Sequence, residues 1–179
     1  TTATERIGGA RLTVAAPAEM DVDPARKAGF LAAFVSPYTL DSDPSGPAMI
    51  LIAPDALPSD GRMYGDVGYV TQHAFWDGDV ASVWVHEFVH TRQDFALASE
   101  MEWFSEGSAT YLSYRIMEEQ YREVTEADVR ARLAATPDFE DVPLAEAGGP
   151  NGSNADYYRG AKLLYAVDAE VRAGSGGTN

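Results

Sequence analysis

Two histidines and a glutamate stand together in one short run, His86-Glu87-Phe88-Val89-His90. On an α-helix, residues four apart share a face, with Cβ atoms ~5–6 Å apart. Two imidazoles at that separation can both reach one zinc ion at ~2.0–2.1 Å. Glu87, one position on, sets its carboxylate beside such a metal rather than on it, where a general base for a metal-activated water has to be. The bland alternative is a surface helix that happens to carry two histidines. Its neighbours argue against that: Val80, Trp84, Val85, Phe88 and Val89 make most of the helix apolar, and a helix apolar nearly all round is buried. Buried imidazoles and a buried carboxylate need partners, and a metal ion supplies them.

A catalytic zinc usually takes three protein ligands and keeps one position open. His73, the remaining histidine, is one candidate for the third; Glu106 is the better one. It lies on the helix that follows, and the connection at Ala96 to Ser99 is short, so the two helices must pack as near neighbours. Gly107 beside it costs ~1 kcal/mol relative to Ala inside a helix, which points to close packing there, with the His86–His90 helix as one candidate partner. Asp94 and Thr110, one turn beyond His90 and Glu106, are candidates to orient the ligands.

The elements that must hold these residues are legible from patterning. Arg11 to Ala15 reads as a strand closed by Pro17. Asp23 caps a helix with Pro24 at its first position, running to about Val35 and stopping before Pro37. Asp41 to Pro47 is loop, the apolar run Ala48 to Ala53 is a buried strand, and Gly65 to Thr71 forms a further strand whose edge can pair with an extended peptide. Asp79 caps a helix from Val80 to about Phe95. Ser99 with Glu102 makes a capping box for a helix to about Tyr121, and Thr125 opens a short helix to about Ala135. After the loop from Asp138 to Ser153, Asn154 caps a last helix ending near Gly174, striped by Gly160, Leu163, Leu164, Val167 and Val171. The expected fold class is α+β: an N-terminal mixed β-sheet with a helix over residues 1–78, then a helical half over 79–179 carrying the metal site, together one catalytic domain. The chain stops just after a helix, so a continuation beyond it is expected.

At this point the sequence resembles a known family. His-Glu-x-x-His at 86–90, followed by Trp-x-x-Glu-Gly-x-Ala-x-Tyr at 103–111, is similar to the gluzincins, the thermolysin-like zinc peptidases, and within them to the branch holding the aminopeptidase N-like and glycyl aminopeptidase-like families. The resemblance implies a zincin-like fold, zinc as cofactor, His86, His90 and Glu106 as its ligands, Glu87 as base, and peptide-bond hydrolysis on a peptide or protein substrate. Tyr157-Tyr158-Arg159-Gly160 resembles the Tyr-x-Lys-Gly segment of that branch, which implies Tyr157 as hydrogen-bond donor to the oxyanion, with Tyr158 and His73 as fallback donors. Two departures stand out. Only 15 residues separate His90 from Glu106, fewer than is usual in the family. The stretch Gly65 to His73 also lacks the glutamate that binds a free amino terminus in that branch; Asp66 stands nearest, with a shorter reach. Aminopeptidase and endopeptidase action are therefore both open.

Composition narrows the rest. The chain has 179 residues, 45% of them apolar, enough for one core. There is no cysteine, so a transition metal must be held by His and carboxylate. A formal charge of -15 makes nucleic acid and anionic membrane surfaces unfavourable partners. No apolar run is long enough to span a bilayer. Lys27 and Lys162 are the only lysines, and such an acidic, lysine-poor surface resembles the proteins of salt-loving archaea. The N-terminal residues do not read as a signal peptide, yet a leader can be removed by processing, and an extracellular or cell-surface location is favoured over a cytoplasmic one. Two rival functions share the motif: a zinc hydrolase of a non-peptide substrate, and a non-catalytic zinc-containing binding module. Glu87 argues against the second, since a structural site needs no base.

Overall fold

The computed structural model describes residues 1–7, 10–35, 47–55, 57, 59–72, 80, 82–93, 97–98, 101–120, 124–136, 143–144 and 155–176. It is an α+β fold. The five strands are β1 (Thr2–Ile7), β2 (Ala10–Ala15), β3 (Ala48–Ala53), β4 (Gly61–Tyr64) and β5 (Val67–Thr71). The helices are α1 (Pro24–Val35), α2 (Val83–His90), α3 (Glu102–Gln120), α4 (Glu126–Ala135) and α5 (Gly160–Gly174), the last preceded by a π-helical stretch, Ala155–Arg159. The chain divides into two compact units, Thr1–Asp94 with Ser113–Thr125, and Phe95–Leu112 with Glu126–Asn179.

The first unit is built on the sheet, in the order β1-β2-β3-β5-β4. β2, β3 and β5 run parallel, and the flanking strands β1 and β4 are antiparallel to their neighbours. Residues of alternate parity separate the two faces. Leu12, Val14, Ala48, Ile50, Ile52 and Val70 are buried on one face, while Met49, Leu51 and Val67 are exposed on the other. Helix α1 packs on β1 and β2, and α2 packs on β4, β5 and α1. The core therefore lies between the apolar sheet face and Ala28, Leu31, Trp84, Val85 and Phe88. Asp23 caps α1 through its side chain, Oδ1 accepting from Ala25 N–H at 2.9 Å.

Patterning foresees α1, β3 and α4 to the residue. It misses β1, whose sequence Thr-Ala-Thr-Glu-Arg-Ile offers no continuous apolar face, as suits an edge strand. The single strand expected over Gly65 to Thr71 is instead the second arm of a hairpin. β4 is its first arm, and Gly65 (φ 62) turns the chain, a conformation glycine adopts without strain. β5 is consequently an interior strand, paired on both sides, and among the described residues β4 is the outer strand on that side of the sheet. The expectations at Asp41 to Gly46, Asp79, Ser99, Glu100, Asn154 and most of the 138–153 loop lie outside the described residues.

In the second unit, Gly107 on α3 and Gly160 at the start of α5 meet backbone to backbone. A Cβ on Gly107 would lie 2.7 Å from Gly160 Cα, and one on Gly160 would lie 2.9 Å from Gly107 Cα. Gly107 thus packs closely, as its position suggests, and its partner at this contact is Gly160. The stripe on α5 does not face a core among the described residues: Leu163, Val167 and Val171 are exposed, and the buried positions are Gly160 and Ala161.

Candidate metal centre

Helix α2 is short and anchored at both ends. Its N-cap residue, Ser82, has extended backbone (φ -119, ψ 123) and makes no side-chain cap bond. The missing cap comes from 31 residues away: Ser82 N–H donates to Ser113 Oγ at 3.0 Å, and the Ser113 hydroxyl donates to the Ser82 carbonyl at 3.1 Å. At the other end, Thr91 N–H and the Thr91 hydroxyl both donate to the Phe88 carbonyl, at 3.0 and 2.7 Å. The helix expected over residues 80–95 is, among the described residues, confined to Val83–His90, with Ser82 at its cap. Trp84, Val85, Phe88 and Val89 are buried, as the apolar circumference requires, and Glu87 is buried with them. Arg92, just past the helix, lies over the Phe88 ring at 4.9 Å. Burial lowers the pKa of its guanidinium, and nearby Asp66 acts in the opposite sense.

This frame sets the two imidazoles face to edge, with ring centroids 4.8 Å apart and planes at 78°. Their Nε2 atoms approach to 3.0 Å. Two nitrogens on one tetrahedral zinc at ~2.0–2.1 Å would sit roughly 3.3 Å apart, so the spacing suits a shared ion. Gln93 Oε1 lies 2.8 Å from His90 Nδ1. With Oε1 as acceptor the hydrogen sits on Nδ1, which leaves the Nε2 lone pair for a metal. Gln93 is absent from the residues that spacing picks out. Its signal was available, one helical turn after His90, but glutamine at a helix end is unremarkable until its carbonyl is seen on the ring.

Glu106 is the fifth residue of α3, a helix that continues through Ser113 two turns later. One ligand atom each from His86, His90 and Glu106 lie within 4.8 Å of one another, and all three residues are half-buried. Among the described residues this is the group of three His or carboxylate side chains placed to hold a metal ion. Thr110 is buried. His73 and Asp94 lie outside the described residues.

Tyr157 is half-buried within the π-helical stretch, a form of helix that recurs at functional sites. The Gly107–Gly160 approach joins the start of α5, three residues after Tyr157, to the α3 segment that carries Glu106. Tyr158 turns its ring face to Arg132, whose guanidinium carbon lies 5.3 Å from the ring centroid.

No family model and no curated protein matches the chain. Solved structures do. A crystal structure of an M1 zinc metallopeptidase from Deinococcus radiodurans is 20% identical with a TM-score of 0.61, over 96% of this chain and 41% of its own. A two-domain M1 zinc metallopeptidase mutant bound to L-arginine matches at 20% identity and a TM-score of 0.62, over 96% of this chain and 40% of its own. A mutant of the Deinococcus radiodurans enzyme bound to a Tyr-Ser-Ala substrate matches at 21% identity and a TM-score of 0.60, again over 96% and 40%. The likeness shows the fold, that of M1 zinc metallopeptidases over nearly the whole chain. The chain spans about two fifths of the length of those proteins.

Proposed function

We propose that this chain is the metal-bearing part of a zinc-dependent peptidase, with His86, His90 and Glu106 as zinc ligands and Glu87 as general base. The observation that carries the reading is the convergence of one ligand atom from each of those three residues within 4.8 Å, beside a buried carboxylate one residue from His86. The donor set is two imidazoles and one carboxylate, which suits a hydrolytic zinc and leaves a fourth position for solvent. The likeness to M1 zinc metallopeptidases adds support for a peptide as substrate.

Zinc held there would supply Lewis acidity toward a scissile carbonyl and a water acidified toward neutral pH. The chain's own groups do the rest. Glu87 takes a proton from that water and passes it to the departing amine. Burial keeps competing solvent from its carboxylate. Gln93 holds the His90 ring in the tautomer that offers Nε2. The Tyr157 hydroxyl donates to the developing oxyanion, a role that suits it better than Tyr158, whose ring is engaged by Arg132.

The test compares the zinc-loaded protein with Glu87→Gln, by metal analysis and by cleavage of a quenched fluorescent peptide library, with free and with acetylated amino termini. Both proteins should hold one zinc, and Glu87→Gln should cleave about 10²–10⁴-fold more slowly. Chelation of the metal should abolish cleavage by the parent, and the acetylated half of the library sorts aminopeptidase from endopeptidase action. Equal cleavage by the two proteins, or a parent that binds no zinc, refutes the proposal.

A further inference from the structure

Gly61 opens β4 on the covered face of the sheet, paired with Val70, the side on which α2 packs. A Cβ built there would lie 2.7 Å from Glu87 Cγ, 2.7 Å from Glu87 Oε1 and 2.9 Å from Val83 Cγ1. No real Cβ tolerates contacts this short, so the Glu87 side chain lies where any other residue at 61 would project. Glycine inside a strand weakens it, and often marks a place where another group must approach closely. Here that group is the carboxylate assigned as base.

We infer that Gly61 is a positioning residue for Glu87: the bare Cα of β4 forms the wall against which the carboxylate is set. The inference rests on the reading of Glu87 as base. The wall is itself held. Thr71 of β5, fully buried, donates both its N–H (2.7 Å) and its hydroxyl (3.1 Å) to the Asp60 carbonyl, the group joined to Gly61. The strand start therefore cannot back away from an added methyl group. Val83 stands in the first turn of α2 and blocks retreat on that side. What yields is the Glu87 side chain, rotating away from its resting place. A base that must meet one proton tolerates a misplacement of only ~0.5 Å, and an error near 1 Å costs about 10²-fold in rate.

Four zinc-loaded proteins test this: the parent, Gly61→Ala, Glu87→Gln and the double variant, assayed on the quenched peptide library with metal content and thermal unfolding in parallel. Gly61→Ala should keep its zinc and lose about 10²-fold in kcat with little change in KM. On the Glu87→Gln background the same substitution should change kcat less than about threefold, because the group it acts through is already gone. If Gly61→Ala fails to fold, Gly61→Ala with Val83→Ala removes the Val83 contact, keeps the Glu87 contact and should show the same selective loss. A folded variant with parental kcat overturns the inference, as does a loss of equal size with and without Glu87. Glu87→Gln cleaving as fast as the parent removes the base, and with it the reading beneath. Glu87→Gln inactive beside a fully active Gly61→Ala leaves that reading standing and sinks only the role of Gly61.

Discussion

At the scale of single residues, spacing exposes the proposed ligands better than it exposes what would orient them. His86, Glu87 and His90 announce themselves because a four-residue step on a helix returns to the same face, and the apolar neighbours bury Glu87 while leaving the two imidazoles half-buried. Glu106 follows from the need for a third donor. Gln93 and Gly61 do not stand out in the sequence: one would act through the tautomer of a neighbouring ring, the other through the absence of a side chain, and neither role is visible until the contact is seen. Gln93 nevertheless has a measurable consequence. Its side-chain carbonyl lies 2.8 Å from His90 Nδ1, and as an acceptor there it favours the hydrogen on Nδ1 and so presents Nε2 to a metal. Removing such a partner typically costs 10–100-fold in metal affinity. Gln93→Ala should therefore weaken zinc binding by about that factor in a competition titration against a chelator. Gln93→Glu, which keeps an acceptor on the ring, should bind as tightly as the parent or more so. Unchanged affinity in Gln93→Ala would mean that the ring is oriented by something else.

At the scale of elements, boundaries set by local chemistry were readable and those set by distant contacts were not. Helix α1 carries its own side-chain cap and a proline at its first position, and α4 has Thr125 before an acidic first turn. Helix α2 has no such device. Its start is fixed by the Ser113 hydroxyl from 31 residues away, which no window of sequence around residue 82 contains. The stripe on α5 is helical in period, yet Leu163, Val167 and Val171 are exposed, since period shows a shared face but not what covers it. Two helical glycines make the contrast quantitative. A methyl group added to Gly29 in α1 would meet nothing within 4 Å, whereas one added to Gly107 in α3 would run into the Gly160 backbone at 2.7 Å. Gly29→Ala should gain about 0.5–1 kcal/mol from helix propensity alone. Gly107→Ala has the same propensity gain available, yet overpacking against main chain costs roughly 1–3 kcal/mol or more, so it should lose stability. Urea unfolding at constant m separates the two signs. A gain in both variants would deny the close approach of α3 and α5.

At the scale of the whole molecule, charge acts where no single contact does. Acidic residues outnumber basic ones by 28 to 13, giving -15, and several arginines are already committed within their own helices: Arg115 to Glu118 and Glu119, Arg130 to Glu126, Arg172 to Asp168. A pair as accessible as Arg130–Glu126 contributes little, and no pairing can offset an excess of acidic over basic residues of 28 to 13. The resulting self-repulsion opposes the compact state and is felt over about 10 Å at 0.1 M salt, but only about 3 Å at 1 M. Thermal stability should therefore rise as potassium chloride is increased from about 0.1 to about 1 M, most steeply at the low end where the screening length changes most. Each kcal/mol regained corresponds to roughly 2–4 °C in Tm for a chain of this size. Chloride is the right anion, because sulfate strengthens apolar burial on its own account and would raise Tm without any repulsion to relieve. Sucrose provides the matching control: it favours the compact state by exclusion from the surface without screening charge. A Tm that climbs with chloride more than with sucrose assigns the gain to charge, and a Tm flat across the chloride series would show that the acidic surface carries no net repulsive cost.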